Sequence, residues 1–500
     1  MTKKLFPALL SDQWLFLWLT IGVASALLSV GGRWDLPIAA WASVIFLLRF
    51  SRMSRPSVGL TLIWLVSVGT TLFWVWQMAV PTSATTLLAA LVYGSIFTLP
   101  YVADRFAASK LSPTLALLLF PATQVTCEFI MGSFSPLGTA YGLHAFTQHD
   151  NLALLQITSL IGPYSIGFLI GLCATVVNDL WHQQFSRPRT RTIGAAYAAL
   201  LVVLVIGGEI RLAYFPPAST TVRIAGISPS MAAEDAAQQV LGGNVVSDQA
   251  ISRLDPEKKR VSFAIAIDEM LASTHKAAKT GAKIIVWSEN AVRTLPADKP
   301  ALLERAKQIA SEENIHLLLA VKTYLPDAPY GRDQTQMIDP KGNVLWTYDK
   351  AHPIPGLETY TPGDGRVPVI DTPYGRIASV ICYDADFPPT TRASADIMLV
   401  PGGDWPEMGR VHTEMASLRA IENGYALFRQ DFNGMSAAYD HHGQLIAMQD
   451  TTGAGPHIFV TDVPNRGVAT LTRLTGDAFA WACIFGIFGL IGLSLRRPKT

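Results

Sequence analysis

The first 215 residues of this 500-residue chain are a succession of apolar runs joined by short loops. The runs fall at 14–30, 36–48, 58–80, 87–102, 115–130, 162–177 and 193–208, and an eighth, at 478–495, lies near the end. Crossing roughly 30 Å of hydrocarbon takes about 20 helical residues, and most of the runs approach that length. Lipid offers no partner to a backbone amide, so each run is expected as a helix. The first, behind Lys3 and Lys4, is expected to remain as an uncleaved anchor because further runs follow at once.

The basic residues suggest an orientation. Lys3 and Lys4, Arg49, Arg52 and Arg55, Arg105 and Lys110, Arg187, Arg189 and Arg191, and Arg496, Arg497 and Lys499 occupy every second connection. Arg33 is the exception in the alternate loops. The positive-inside rule then gives eight spans, both termini cytoplasmic, and an extracytoplasmic segment after span seven. With 50% hydrophobic and 15% charged residues, the composition suits a membrane protein. A net charge of +1 supplies no basic field for nucleic acid.

Between 216 and 470 the pattern changes to short Val- and Ile-rich runs alternating with helical ones. "VRIAGI", "KIIVWSE", "IHLLLAVKTY", "RIASVICYD", "ADIMLVPGG", "YALFRQDF" and "PHIFVTDV" are strand-like. Helices are expected after Pro256, after Asp298 and up to Gly424, and Asp339 to Gly342 reads as a hairpin turn. Helices interleaved with strands imply layers of helix covering sheet. The weakly patterned stretch "SPSMAAEDAAQQVLGGNVVSDQA" is expected as a mobile loop. The expected domains are 1–215 with seven membrane helices, 216–470 as an α/β domain, and 471–500 with the eighth helix and a tail.

Three polar residues stand at or just beyond strand ends: Glu289 in "IIVWSEN", Lys350 in "WTYDKAHPIPG" and Cys382 in "SVICYD". Strand ends are where α/β folds present reactive groups. A carboxylate can take the proton of a thiol that is a few per cent ionised near neutral pH, and an ammonium can hold an oxyanion. Taken singly, the cysteine reads as core filler, the glutamate as a helix N-terminal acid and the lysine as solvated. Cys127, Cys173 and Cys483 lie in apolar runs as small hydrophobes, and Cys382 has no disulfide partner in the polar part. Glu128, late in its apolar run, is weighed evenly between a wet interface and pairing near a lipid headgroup. His144, His149, His352, His412, His441 and His442 lack metal-binding spacing and are read as surface or local hydrogen-bonding groups.

The strings "WSEN", "YDKAHPIPGLE" and "GRIASVICYDADFP" resemble the three motifs of the nitrilase, or carbon–nitrogen hydrolase, superfamily. Joined to a bundle of membrane spans, they resemble the apolipoprotein N-acyltransferase family; "VTCEFIMGSFSPLG" and "LLQITSLIGPYSIGFLIG" are similar to its spans five and six. The resemblance implies a polytopic α-helical bundle of about eight spans with an extracytoplasmic nitrilase-like αββα sandwich. It makes Glu289 the general base, Lys350 the oxyanion stabiliser and Cys382 the nucleophile, with Glu358, Tyr383 and Trp405 in support. Ser288, Asp384 and Met131 depart from the family pattern and bear on lipid or acceptor choice.

The implied activity is N-acylation of the lipid-modified N-terminal cysteine of a lipoprotein, from a phospholipid donor, through a thioester on Cys382 and by a ping-pong course. No cofactor or metal is implied. The implied setting is the bacterial inner membrane, with a periplasmic catalytic domain and a monomeric enzyme. A membrane-tethered amidase of the same superfamily and a transporter or binding protein with a degenerate catalytic domain are the alternatives.

Overall fold

The computed structural model describes residues 14–217, 220–243, 247–455 and 457–496. Lys3, Lys4, Arg497 and Lys499, used above for orientation, lie outside them. The chain divides into two compact units, Met1–Pro216 with Leu474–Thr500, and Pro217–Arg473.

The first unit is helical. Its long elements are α1 (Leu15–Leu27), α2 (Pro37–Met53), α3 (Pro56–Gln77), α4 (Ala84–Ala107), α5 (Pro113–Phe134), α6 (Tyr164–His182) and α7 (Pro188–Tyr214). The last helix of the chain, Ala478–Arg496, also belongs to this unit. Among the described residues, six are long and apolar enough to cross a membrane by length and composition: α3 to α7 and the last helix. α1 has 13 residues and α2 has 17. Proline at the first turn starts α2, α3, α5 and α7, where its missing N–H is no loss.

The basic connections meet at one end of this unit. Arg52, near the end of α2, donates to both carboxylate oxygens of Asp104 on α4, at 2.9 and 2.7 Å. Arg105 donates to the carbonyls of Arg52 and Ser54 at 2.7 Å, and Arg189 donates to the hydroxyl of Thr114.

Glu128 is buried within the protein on α5, and its carboxylate bonds the His144 ring at 2.6 Å. Gly167 on α6 makes this possible, because a Cβ there would lie 2.3 Å from the carboxylate.

The second unit is a sandwich of two sheets. The first has the order β13-β1-β2-β4-β5-β6, with β3 beside β4, and the second the order β12-β11-β10-β9-β8-β7. Strands of the first are β1 (Thr221–Ser228), β2 (Ile284–Trp287), β3 (Val292–Thr294), β4 (His316–Tyr324), β5 (Gly331–Ile338), β6 (Val344–Asp349) and β13 (His457–Pro464). Those of the second are β7 (Val369–Thr372), β8 (Gly375–Ser379), β9 (Ile397–Gly403), β10 (Ala426–Phe432), β11 (Met435–Tyr439) and β12 (Leu445–Asp450). The parallel pairs β1–β2, β2–β4, β8–β9 and β9–β10 form the centres of the sheets.

Strand alternation divides the core. Ile224, Ile284, Val286, Leu318, Ile397 and Phe428 meet between the sheets. Ile285 and Trp287 face the other way, towards Met270 and Leu271 of α9 (Pro256–Ala278) and Ala306 of α10 (Lys299–Glu312). Met398 and Leu427 pack on Ala416 and Ala420 of α11 (Gly409–Asn423). The layers are therefore helix, sheet, sheet and helix.

Much of the stretch expected as a mobile loop is helical instead. α8 (Met231–Leu241) starts at Ser230, whose hydroxyl accepts from the Ala233 amide at 3.0 Å, and stops at Gly242 with φ +116°. Ala233, Ala237 and Leu241 form its buried stripe, small enough to escape a hydrophobicity reading. No strand-like string of the sequence marks β3, β7, β11 or β12; β7 and β12 are half-exposed edge strands.

Candidate active site

β2 ends at Trp287, and the chain turns out of the sheet to present Glu289. The Glu289 amide donates to the Gly402 carbonyl at the end of β9, at 3.1 Å, and so fastens one sheet to the other where the site lies. Gly403 leaves room for the carboxylate, since a Cβ there would stand 3.2 Å from Glu289 Oε2. Lys350 follows β6, and its amide bonds the Asp333 carbonyl on β5 at 2.9 Å.

Cys382 opens a turn of 3-10 helix, Cys382–Asp386, three residues beyond β8. Its φ of +44° is in the left-handed region, a strain of about 1–3 kcal/mol that the surroundings must over-determine. Asp384 supplies part of that restraint. Its buried carboxylate accepts from the Tyr348 hydroxyl at 2.8 Å and from the amides of His352, Ala351 and Ile381 at 2.9, 3.1 and 3.3 Å. One aspartate thus ties the cysteine turn to the lysine loop.

The Lys350 ammonium is wholly buried, 2.6 Å from Glu289 Oε1, 2.8 Å from Glu358 Oε1 and 4.0 Å from Asp333. Burial works against its charge, but Glu289 and Glu358 outweigh it and hold the ammonium well above the ordinary lysine range. Burial pushes the Glu358 carboxyl up, against the pull of Lys350. Its other oxygen accepts from the Ile354 amide at 2.7 Å, which closes the loop after Lys350.

Cys382 is 1% exposed, and its Sγ lies 3.9 Å from the Gly403 carbonyl oxygen and 3.7 Å from Arg429 Nη2. Burial first, then Glu289 and Asp404, push the thiol up to about 12, with Arg429 and His412 opposing. The sulfur is thus held protonated more firmly than a free thiol, which is itself only a few per cent ionised near neutral pH.

Behind the sulfur lies a charged layer that the sequence reading missed. Arg429 on β10 bonds Asp404 at 2.7 Å and Asp431 at 3.0 Å. His412 on α11 faces Asp404 through Nδ1 at 2.8 Å and Asp386 through Nε2 at 2.9 Å. Although burial disfavours a charged ring, Asp404 outweighs it, and His412 stands well above the usual imidazole range. Asp404 lies well below the carboxylate range, because His412 and Arg429 outweigh its burial. His412 is therefore no surface group, nor are His441 and His442, which are buried against each other with ring centroids 4.2 Å apart. No spacing rule links positions 404, 412 and 429; only the fold assembles them.

Donor atoms of Cys382, Asp404 and His412 fall within 4.8 Å of one another. Each His412 nitrogen already faces a carboxylate, and Arg429 stands 3.1 Å from Nδ1, so the cluster is built as an ion-pair network around its own cation. Tyr383 is buried edge-on against Phe387, ring centroids 5.4 Å apart. Trp405 is half-buried in the turn after β9, next to Asp404, and its carbonyl accepts from the Met408 and Gly409 amides at 2.9 Å. Ser288 is buried, and its hydroxyl has no hydrogen-bond partner among the described residues.

The sandwich and its site have a counterpart among known proteins. Residues 249–470 match the carbon–nitrogen hydrolase family model, which defines the class: an enzyme of the nitrilase superfamily carried on a chain with apolar helices. Residues 12–176 match the model of the apolipoprotein N-acyltransferase N-terminal domain. The chain belongs to the apolipoprotein N-acyltransferase family.

Relatives bearing that name include one from Geobacter metallireducens, 25% identical over 77% of this chain and 75% of its own. One from Bradyrhizobium diazoefficiens is 25% identical over 81% and 78%, and one from Sinorhizobium medicae 28% over 55% and 58%. The aligned part thus spans less than two thirds of the Sinorhizobium relative. Among solved structures, an amidase from Nesterenkonia sp. is similar at 21% identity, over 49% of this chain and 91% of that one, with a TM-score of 0.37.

Proposed function

We propose that this protein transfers an acyl chain from a phospholipid to the α-amino group of the lipid-modified N-terminal cysteine of a lipoprotein. Cys382 Sγ attacks the ester carbonyl carbon as its proton passes to Glu289. The oxyanion that forms is held by the Lys350 ammonium and the Tyr383 amide. The intermediate collapses to a Cys382 thioester, and the departing lysophospholipid alkoxide takes the proton back from Glu289. In the second half, the acceptor amine attacks the thioester and loses a proton to Glu289. An amide forms, and the sulfur leaves as thiolate and is reprotonated. Both halves use one thiol and one base, which is a ping-pong course.

One observation carries this reading: Glu289, Lys350 and Cys382, from three separate stretches, converge beside Gly403, with Glu289 and Lys350 only 2.6 Å apart. The name of the relatives supplies the acyl transfer and the apolipoprotein acceptor; the phospholipid donor is carried over from the family resemblance. Two lipid substrates give a reason for apolar helices on the same chain. The basic connections gathered at one end of the first unit support a cytoplasmic assignment for that end in the inner membrane, with the sandwich in the periplasm.

The test incubates the purified protein with acyl-labelled phospholipid and looks for hydroxylamine-sensitive label on the chain. Label present in the wild type and lost in Cys382→Ala supports the thioester; equal label in both refutes it. Adding a lipopeptide with a free amino terminus should move the label into amide, whereas release as free fatty acid alone would refute transfer.

A further inference from the structure

Three carboxyl groups surround the Lys350 ammonium. Glu289 and Glu358 bond it directly, and Asp333 stands 4.0 Å away. All lie in the interior, with Asp333 wholly buried. One cation cannot balance three carboxylates in the protein interior, where an uncompensated charge costs several kcal/mol or more.

Among the three, Asp333 is the one left without support. Glu289 has the ammonium at 2.6 Å. Glu358 has the ammonium and the Ile354 amide. Neither oxygen of Asp333 accepts a hydrogen bond from any donor among the described residues. Lys322, its cross-strand neighbour on β4, turns its ammonium to Asp248 at 2.6 Å. Tyr360 also faces the cluster, and its hydroxyl takes a hydrogen bond from Asn290 at 3.0 Å. A carboxylate without donors is costly, whereas a carboxylic acid beside a carboxylate has a use for its proton. Glu289 is such a neighbour, since both carboxyls face the same Lys350 ammonium, Glu289 at 2.6 Å and Asp333 at 4.0 Å.

We infer that Asp333 is a positioning residue that stays protonated at neutral pH and donates a hydrogen bond to Glu289, fixing the carboxylate that deprotonates Cys382. Burial first, and then Glu289, push the Asp333 carboxyl well above the usual range, while Lys350 opposes, in keeping with this geometry. The role follows from the chemistry of the pair. With the Asp333 proton between them, Glu289 keeps one oxygen on Lys350 and accepts from Asp333. The lone pair that takes the thiol proton then has a fixed direction. The inference rests on Glu289 acting as the base, but it is read independently of acyl transfer.

The test is infrared spectroscopy of the full chain with ¹³C-labelled aspartate. A protonated aspartic acid C=O band is expected at about pH 8, four units above the ordinary aspartate value of roughly 3.9. Because burial also pushes the Asp431 carboxyl well above the usual range, the band read is the component lost in Asp333→Asn, and that component should change frequency in Glu289→Gln, which alters its acceptor. Asp333→Asn keeps the shape and a donor without the charge, so thioester formation should stay within about threefold of wild type with an unshifted pH profile. Asp333→Ala should lose about 10- to 100-fold. Absence of the band, or a band untouched by Glu289→Gln, overturns the inference even if Asp333→Asn fails to fold. So does a hundredfold loss in a folded Asp333→Asn variant. Loss of the thioester with the band in place would sink the proposed reaction and leave the proton assignment standing.

Discussion

Alkylation of Cys382 by iodoacetamide tests how the nucleophile is made. A thiol at about 12, against roughly 8.5 for a free cysteine, has about 3,000-fold less thiolate at neutral pH. A more basic thiolate is intrinsically more reactive, with an exponent of about 0.4–0.5, which recovers about 30- to 60-fold. Cys382 should therefore react about 50- to 100-fold more slowly than a free thiol, before any slowing by its 1% exposure. Its rate should climb nearly tenfold per unit from about pH 7 to about pH 10. Removing a carboxylate that raises the thiol should have the opposite sign to its effect on catalysis. Glu289→Gln should speed alkylation while slowing thioester formation by about 10²–10⁴-fold. Arg429→Met should slow alkylation, since Arg429, with His412, opposes the rise. The assay is site-resolved mass spectrometry of peptides containing Cys382, with Cys127, Cys173 and Cys483 as internal references. A rate that is already flat between about pH 6 and pH 8 would mean a preformed thiolate, and the general-base argument would fail.

Lys350→Met should cut thioester formation by about 10²–10³-fold as the oxyanion loses its cation. It also leaves buried carboxyls without a partner, at about 3–5 kcal/mol, so its thermal stability in detergent should fall and partly recover at acid pH. For His412 the folded value lies above the unfolded 6.5, so its contribution to stability is full below 6.5 and is lost as pH rises through the raised value. His412→Asn should accordingly reduce stability most at acid and neutral pH and little at strongly alkaline pH; a uniform offset in denaturation curves across that range would contradict the charged-ring assignment. Gly167→Ala sets a methyl 2.3 Å from the Glu128 carboxylate and should lower the thermal midpoint, whereas Gly207→Ala on α7, with open space around it, should not.

The apolar runs and the strand-like strings were legible in the sequence because burial leaves its period in every residue of an element. Glu289, Lys350 and Cys382 could be singled out as candidates because each stands at or just beyond a strand end inside a distinctive string. Where apolar content was thin, as in the alanine stripe of α8 or the exposed edge strands β7 and β12, that record was too faint to read.

What the tertiary structure alone decided was the state of the groups. A sequence shows which side chains can ionise, but charge in the interior depends on burial and on neighbours drawn from distant strands. Asp333, Asp404, His412 and Arg429 lie on different elements, and nothing in their spacing marks them as one electrostatic unit around a sulfur and an ammonium. Burial among them raises the Cys382 thiol from the ordinary cysteine range to about 12. It also turns a surface-type histidine into a buried cation.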